Sequence, residues 1–422
     1  MRKILFWIHL VAGLVAGLVI AIMSFTGVVL AFEQELVAWA ERDARRVTAP
    51  ADPAATRLPL AELQVRVREA LPEVRSPAIS LANDPGAAVT ISAGRDTAYY
   101  INPYTGEVRR PGSTAMHDFM HLMEEWHRFI ALGGDNRPVG KAITGACNLA
   151  FLALAVSGLY LWWPRSWSWR GFKAVALLNG RLAGKARDFN WHNAIGFWCA
   201  PVLIVLTLTA VPISYRWGSS LIYRMVGEEP PAQGGPPVSG ATAAEIARPS
   251  PEARPAGLDG IVAQVQAEYP RWSQITLRTG GANRQQRPAP GPAAPGGAPA
   301  AADAARSGAV PPLTIMIREA GTWPRTASTT LTVHPFTGEI LRREGFRDSS
   351  TGRQVRMWSR FLHTGQALGW PGQAVAGLAS LGALFLVYTG FALSWRRFLA
   401  RGPRRAPASP HPAHQQRVSA SQ

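Results

Sequence analysis

Among 422 residues there are only 2 cysteines, Cys147 and Cys199, and both fall inside long apolar runs. That excludes a disulfide framework for any segment outside those runs, and neither cysteine has the spacing of a metal or redox motif. A glycine-rich nucleotide-binding turn, a Walker sequence and the spacing of a catalytic triad are also missing, so nothing points to a flavin or NAD domain. Acid is scarce: 27 Asp+Glu stand against 44 Lys+Arg, giving a formal charge of +17. The apolar runs carry no charge in their interiors, which argues against a permease component with an intramembrane pathway.

What the chain does have is four runs long enough to cross a hydrocarbon core, which takes roughly 20 residues: 5–32, 141–163, 192–215 and 371–395. The first has a basic start (Arg2, Lys3), as a secretory signal would. It continues through "AIMSFTGVVLAF" with no small-x-small cleavage site before Glu33, and so reads as a retained span. The loop 164–189 holds Arg165, Arg170, Lys173, Arg181, Lys185 and Arg187 against Asp188, and the tail 396–422 holds six Arg and no acid. Both therefore read as cytoplasmic, with both termini on the inner side of the membrane. The N-terminus, loop and tail together contribute 14 basic residues and 1 acid, so topology accounts for most of the charge and nucleic-acid binding is a poor reading of it.

The chain is written twice. Residues 101–110, "INPYTGEVRR", and 333–343, "VHPFTGEILRR", are one strand–turn–strand phrase. A helical segment precedes each (60–74 and 258–272), and an apolar span follows each, ending in "VSGLYLWWPR" and "YTGFALSWRR". The predicted fold class is an α-helical membrane protein of four transmembrane helices in two repeats, each repeat with a small periplasmic α+β domain. The expected map is a first span over 1–32, an outer domain over 33–125, a His-bearing segment over 126–140 and a second span over 141–163. After the basic loop 164–189 come a third span over 190–215, a second outer domain over 216–356, a His-bearing segment over 357–370, a fourth span over 371–395 and the tail. Pro/Ala/Gly-rich stretches at 228–257 and 285–312 lack apolar content and read as disordered inserts.

Four of the 9 histidines obey the duplication. His9 and His192 open spans one and three, each with Gly four positions on (Gly13, Gly196) and Thr 17 positions on (Thr26, Thr209). His127 in "WHRFIALGG" and His363 in "LHTGQALGW" form the other pair. Imidazole is a usual axial ligand of b-type haem, and a small residue one turn along the same helix face leaves room for a flat macrocycle. The positions predict two bis-His haem sites, His9 with His192 and His127 with His363, on opposite sides of the membrane and about 25 Å apart. A single interfacial histidine is more often a hydrogen-bonded or snorkelling residue; duplication raises the haem reading above that one. His117 and His121 have the i, i+4 spacing of a metal pair and are candidate additional ligands without counterparts in the second half. His334 takes the place of Asn102 and reads as a surface residue, and His411 and His414 sit in the tail. Trp162, Trp163 and Trp395 read as interface anchors, and Thr26–Gly27, Ser157–Gly158 and Thr389–Gly390 as close helix-packing positions.

With "NPYTGE", "HPFTGE", the two His-x-x-x-Gly span starts and "LHTGQALGWPGQ…GLASLGALFLVYTGFALSW" in view, the chain resembles the PepSY-associated transmembrane proteins. The likeness covers nearly everything except the inserts and tail. It implies a di-haem b inner-membrane electron-transfer protein that takes electrons from an unnamed donor and reduces a periplasmic ferric siderophore, with His9, His192, His127 and His363 as haem ligands. The competing expectation is a non-enzymatic membrane anchor whose outer domains bind or inhibit a periplasmic partner. The expected partners are inner-membrane lipid, a periplasmic ferric chelate and an unidentified electron donor, and no nucleic acid.

Overall fold

The computed structural model describes residues 1–52, 56–72, 74, 77–93, 97–110, 113–163, 168–231, 246, 248–250, 252, 254–278 and 310–399. Most of the two Pro/Ala-rich stretches, Arg165, and residues 400–422 with His411 and His414 lie outside the described residues.

In chain order, α1 (Arg2–Leu30) leads to α2 (Glu33–Ala40), α3 (Arg42–Arg45) and α4 (Leu60–Ala70). Strands β1 (Ala78–Ala82), β2 (Val89–Ala93), β3 (Thr97–Ile101) and β4 (Val108–Arg109) follow, then α5 (Thr114–Phe129). Next come α6 (Arg137–Trp162), α7 (Trp169–Ala176), α8 (Gly184–Ser214) and α9 (Arg216–Met225). The chain continues with α10 (Leu258–Glu268), β5 (Trp272–Arg278), β6 (Leu313–Glu319), β7 (Thr329–Val333) and β8 (Ile340–Glu344). It closes with α11 (Thr351–His363) and α12 (Trp370–Phe398).

Helices α1, α6, α8 and α12 carry the four apolar runs, with mean hydropathies of 2.5, 1.8, 2.2 and 1.8. Each rises more than about 35 Å, enough to cross a hydrocarbon core of about 30 Å with a turn or more to spare. The protein is therefore a membrane protein. The helices pack as a ring in the order α1, α6, α8, α12, with α12 returning to α1. Small side chains line the contacts: Ala155, Ala379 and Ala383 are buried around Leu203, with Cys199 against them. Without a hydrophobic force between helices in lipid, such residues permit the close approach on which packing depends. The histidine-bearing helices α1 and α8 occupy opposite corners of this ring.

Outside the bundle the two halves do not make two sheets. Eight strands join in the order β4-β3-β2-β1-β5-β6-β7-β8, with β1 and β5 antiparallel over Ala78↔Arg278 to Ala82↔Gln274. The outer segments of the two halves share this sheet: their strands β1 and β5 pair, and Ser80 and Thr276 share a 2.8 Å side-chain hydrogen bond across the junction. Alternation places Ile79, Leu81, Ile91, Ile275, Leu277, Ile315, Ile317 and Leu331 on one face, in a single core with Leu63 and Val67 of α4 and Ile261 and Val265 of α10. The two covering helices are tied directly, since Asp259 accepts a 2.7 Å hydrogen bond from the Leu60 amide at the start of α4.

The duplicated phrases make the same turn. Asn102 Oδ1 accepts from the amides of Tyr104 and Thr105, and His334 Nδ1 accepts from those of Phe336 and Thr337. His334 is a turn-forming residue in the place of an asparagine. Gly106 and Gly338 follow with φ of 73° and 76°, a conformation that favours glycine.

Two expected boundaries fall inside helices. Helix α5 runs through 125/126 and α11 through 356/357, so His127 and His363 each close an amphipathic helix begun in the preceding segment. Helix α5 stops there because Ile130 and Ala131 take left-handed φ values of 52° and 54°.

Candidate functional site

At the end of the bundle where α1 begins and α12 ends, a cavity of about 480 Å³ opens between the four membrane helices. His9 and His192 line it from opposite corners, with Gly13, Gly196, Phe151, Leu154, Leu386 and Phe391 among its walls. The volume falls within the roughly 300–1,000 Å³ of small-molecule sites, and the walls are mainly apolar. Neither Gly13 nor Gly196 is demanded by packing. A Cβ at Gly13 would come no nearer than 3.8 Å to Leu154 and one at Gly196 no nearer than 3.5 Å to Leu386, both ordinary contacts. What the two glycines contribute is room inside the cavity.

The imidazoles are held in one tautomer, and the geometry says which. His9 Nδ1 lies 2.9 Å from Ser157 Oγ, and His192 Nδ1 lies 2.9 Å from Thr389 Oγ1. A hydroxyl has one proton, and each of these gives it to its own helix: Ser157 to the Leu154 carbonyl, Thr389 to the Phe385 carbonyl. With the hydroxyl protons so placed, each hydroxyl accepts from an Nδ1–H and Nε2 keeps the free lone pair. The neighbouring glycines make space for the rings, since a Cβ at Gly158 would lie 3.2 Å from His9 Cε1 and one at Gly390 3.7 Å from His192 Cε1.

The same device appears at the other end of the bundle. His127 Nδ1 donates to the Met23 carbonyl at 3.0 Å and also lies 3.0 Å from Thr26 Oγ1, whose own proton goes to the Ile22 carbonyl. His363 Nδ1 donates to the Leu206 carbonyl at 2.9 Å. Met23 precedes Thr26 by three residues, as Leu206 precedes Thr209, so each histidine addresses the corresponding turn of α1 or α8. The two rings face each other with centres 6.3 Å apart and planes at 55°.

These donors suit haem iron. Two imidazoles bonded by Nε2 to one metal at about 2.0–2.1 Å, with the nitrogen about 1.1 Å from its ring centre, put ring centres about 6.3 Å apart. The planes are free to turn about the shared axis, so a 55° angle is compatible with that arrangement. In metal-binding histidines the second nitrogen characteristically donates to a carbonyl or another acceptor, fixing tautomer and orientation. All four rings meet that description.

Three other expectations resolve differently. His117 Nε2 lies 2.8 Å from Glu41 Oε1, so that nitrogen is occupied, and His121 is largely exposed with Glu125 at 4.0 Å. Among the described residues no group of three or more His, Cys, Asp and Glu side chains is arranged for a metal ion. Trp163 and Trp395 are 51 % and 64 % exposed, as interface anchors should be, whereas Trp162 is 8 % exposed and stacks on Phe197 beside the cavity at 4.1 Å. The Ser/Thr–Gly pairs do more than pack helices: Ser157, Thr389 and Thr26 are the hydrogen-bond partners of three histidines. The signal was present as a recurring hydroxyl–glycine dipeptide near span ends, but nothing local tied it to a distant histidine.

These features define a polytopic membrane protein: a four-helix bundle with His9 and His192 at one end, His127 and His363 on the helices α5 and α11 packed at the other, and one antiparallel sheet outside it. The chain belongs to the family described as the PepSY-associated TM region, which matches it over residues 6–397. No curated protein matches the chain.

Proposed function

We propose that this chain is a transmembrane electron carrier of the bacterial inner membrane that reduces a ferric siderophore on the periplasmic side, with two haem b groups. One observation carries this reading: the four duplicated histidines, paired at the two ends of the bundle, all direct Nδ1 into hydrogen bonds and keep Nε2 free. Haem b closed on both faces by histidine supplies one-electron transfer without oxygen binding.

In this reading His9 and His192 hold the group at the basic-loop end, and His127 and His363 hold the one at the sheet end. Ser157, Thr389, Thr26 and the carbonyls of Met23 and Leu206 orient the imidazoles. Apolar side chains wall most of the inner site. Helix α1 spans both levels, from His9 to the Met23–Thr26 turn that holds His127, a rise of about 21–26 Å. In this reading the sheet side faces the periplasm, since the start of α1, the described part of the basic loop and the end of α12 occupy the other end. There the ferric chelate takes one electron, and the Fe(II) formed is held less tightly by hard oxygen donors.

Purified full-length protein tests this directly. A sharp reduced α-band with two haems per chain is expected; colourless protein that does not take up added haem would leave the anchor reading in its place.

A further inference from the structure

The cavity between His9 and His192 is not apolar all round. Lys185 and Arg397 are also among its lining residues, Lys185 in the first turn of α8 and Arg397 in the last turn of α12. Both therefore stand at the basic-loop end. The acid close to them is already committed: Asp188 is fully buried and bridges Arg187 at 2.9 Å and Arg396 at 3.0 Å. Among the described residues no ion pair joins Lys185 or Arg397 to a carboxylate. Arg397 is instead held over the rings of Phe6 and Trp7, 5.1 and 5.3 Å from their centres. Cation–π contacts of this kind orient a guanidinium while leaving its charge uncompensated.

The cavity thus offers apolar walls, two imidazole nitrogens approaching from opposite corners, and two cations at one end only. Its complement is a flat apolar body with acid groups along a single edge, and charge-assisted pairing at that edge fixes orientation as well as affinity. We infer that Lys185 and Arg397 bind the carboxylates of the tetrapyrrole held between His9 and His192, directing that edge to the basic-loop side. The inference rests on the haem reading above. It adds the class of ligand, a dicarboxylate tetrapyrrole, and the residues that choose its orientation. It also assigns these two cations a ligand, where the alternative is that they are headgroup contacts of a basic membrane face.

The test uses full-length protein in detergent, stripped of endogenous porphyrin, and two fluorescent probes: metal-free protoporphyrin IX and its dimethyl ester, in which both carboxylates are masked. Neither needs an axial ligand, so binding reports cavity and edge alone. Wild type is expected to prefer the free acid by about tenfold or more. The double variant Lys185→Gln/Arg397→Gln is expected to lose that preference, binding the acid as weakly as wild type binds the ester, while Lys185→Arg/Arg397→Lys keeps it. Thermal melting of all three proteins separates loss of binding from loss of fold. If the Gln variant melts early, the ratio of acid to ester affinity in wild type and in the charge-keeping variant decides. Equal affinity of wild type for acid and ester would overturn the inference and leave the haem reading standing. So would a Gln variant that still discriminates between them. If wild type binds neither probe and takes up no haem, the haem reading fails and the inference falls with it.

Discussion

His127 and His363 come from different halves of the chain, close different helices, and stand ring to ring with centres 6.3 Å apart. Helix α5 reaches this position by packing on α1 and α6, and α11 by packing on α8 and α9. Each ring is then fixed by a carbonyl of the membrane helix beside it, Met23 or Leu206. The separation is the one that two imidazoles sharing a metal would require. At the opposite end His9 and His192 are fixed by hydroxyls, so two pairs arise from one construction with different acceptors.

Filling the cavity should remove one haem and spare the other. Gly13→Leu or Gly196→Leu introduces a side chain whose Cβ meets only ordinary contacts, so the helices keep their packing while the chamber loses volume. Haem content per chain is expected to fall from two to one, measured as pyridine haemochrome against protein. An unchanged count would show that the cavity holds no macrocycle.

Removing the hydroxyl acceptors should loosen the inner site without deleting a ligand. Ser157→Ala and Thr389→Val each take away the partner of an Nδ1–H while keeping the helix, and outer-shell changes of this type cost about 10–100-fold in metal affinity. Haem titration of stripped protein reads this out. Gly158→Leu should do more, because a Cβ there already lies 3.2 Å from His9 Cε1 and the longer side chain displaces the ring.

An acid-sensitive cluster ties the sheet to α5. Burial alone would raise the Glu41 carboxyl, yet hydrogen bonds from Tyr100, Arg45 and His117 outweigh it and hold that carboxyl below its ordinary value. A depressed carboxylate contributes stability that is present above its unfolded pKa of about 4.3 and is lost as pH falls through the folded value. Tyr100→Phe removes the 2.6 Å hydrogen bond to Glu41, costing about 1–2 kcal/mol at neutral pH and moving the acid limb of stability upward. Melting temperature followed from pH 7 to pH 3 checks both effects, and a variant curve parallel to wild type would show that the bond does not tune Glu41.

Asp188→Asn should destabilise the basic-loop end of the bundle. Its carboxylate is 1 % exposed while its partners Arg187 and Arg396 are 35 % and 40 % exposed, so the arginines can partly rehydrate. The cost is expected towards the lower end of the about 3–5 kcal/mol for breaking a buried pair. Detergent-phase thermal unfolding measures it; a change below about 1 kcal/mol would mean that the bridge is peripheral to the bundle.

Much of this was legible in the sequence because the signals are local or duplicated. Apolar length marked the spans, Pro-aromatic-Thr-Gly marked the turns, and equal spacing from His9 to Thr26 and from His192 to Thr209 marked equivalent positions. The β1–β5 pairing was not legible, because alternation says which face of a strand is buried and nothing about which distant edge it meets. Nor were the partners of Nδ1, since Ser157 lies 148 positions from His9 and Thr389 lies 197 from His192. His117 illustrates the opposite failure: its spacing to His121 suggested a metal pair, but a buried carboxylate from another helix junction occupies its Nε2.

Whether four histidines hold two haems, in the pairs His9/His192 and His127/His363, is decided by haem stoichiometry and reduced visible spectra of the four single His→Ala variants. Two haems per chain are expected in wild type and one in each variant. His9→Ala and His192→Ala should leave one common residual spectrum, and His127→Ala and His363→Ala a second, different one. A wild type without haem, or a residual spectrum shared by His9→Ala and His127→Ala, would contradict this assignment.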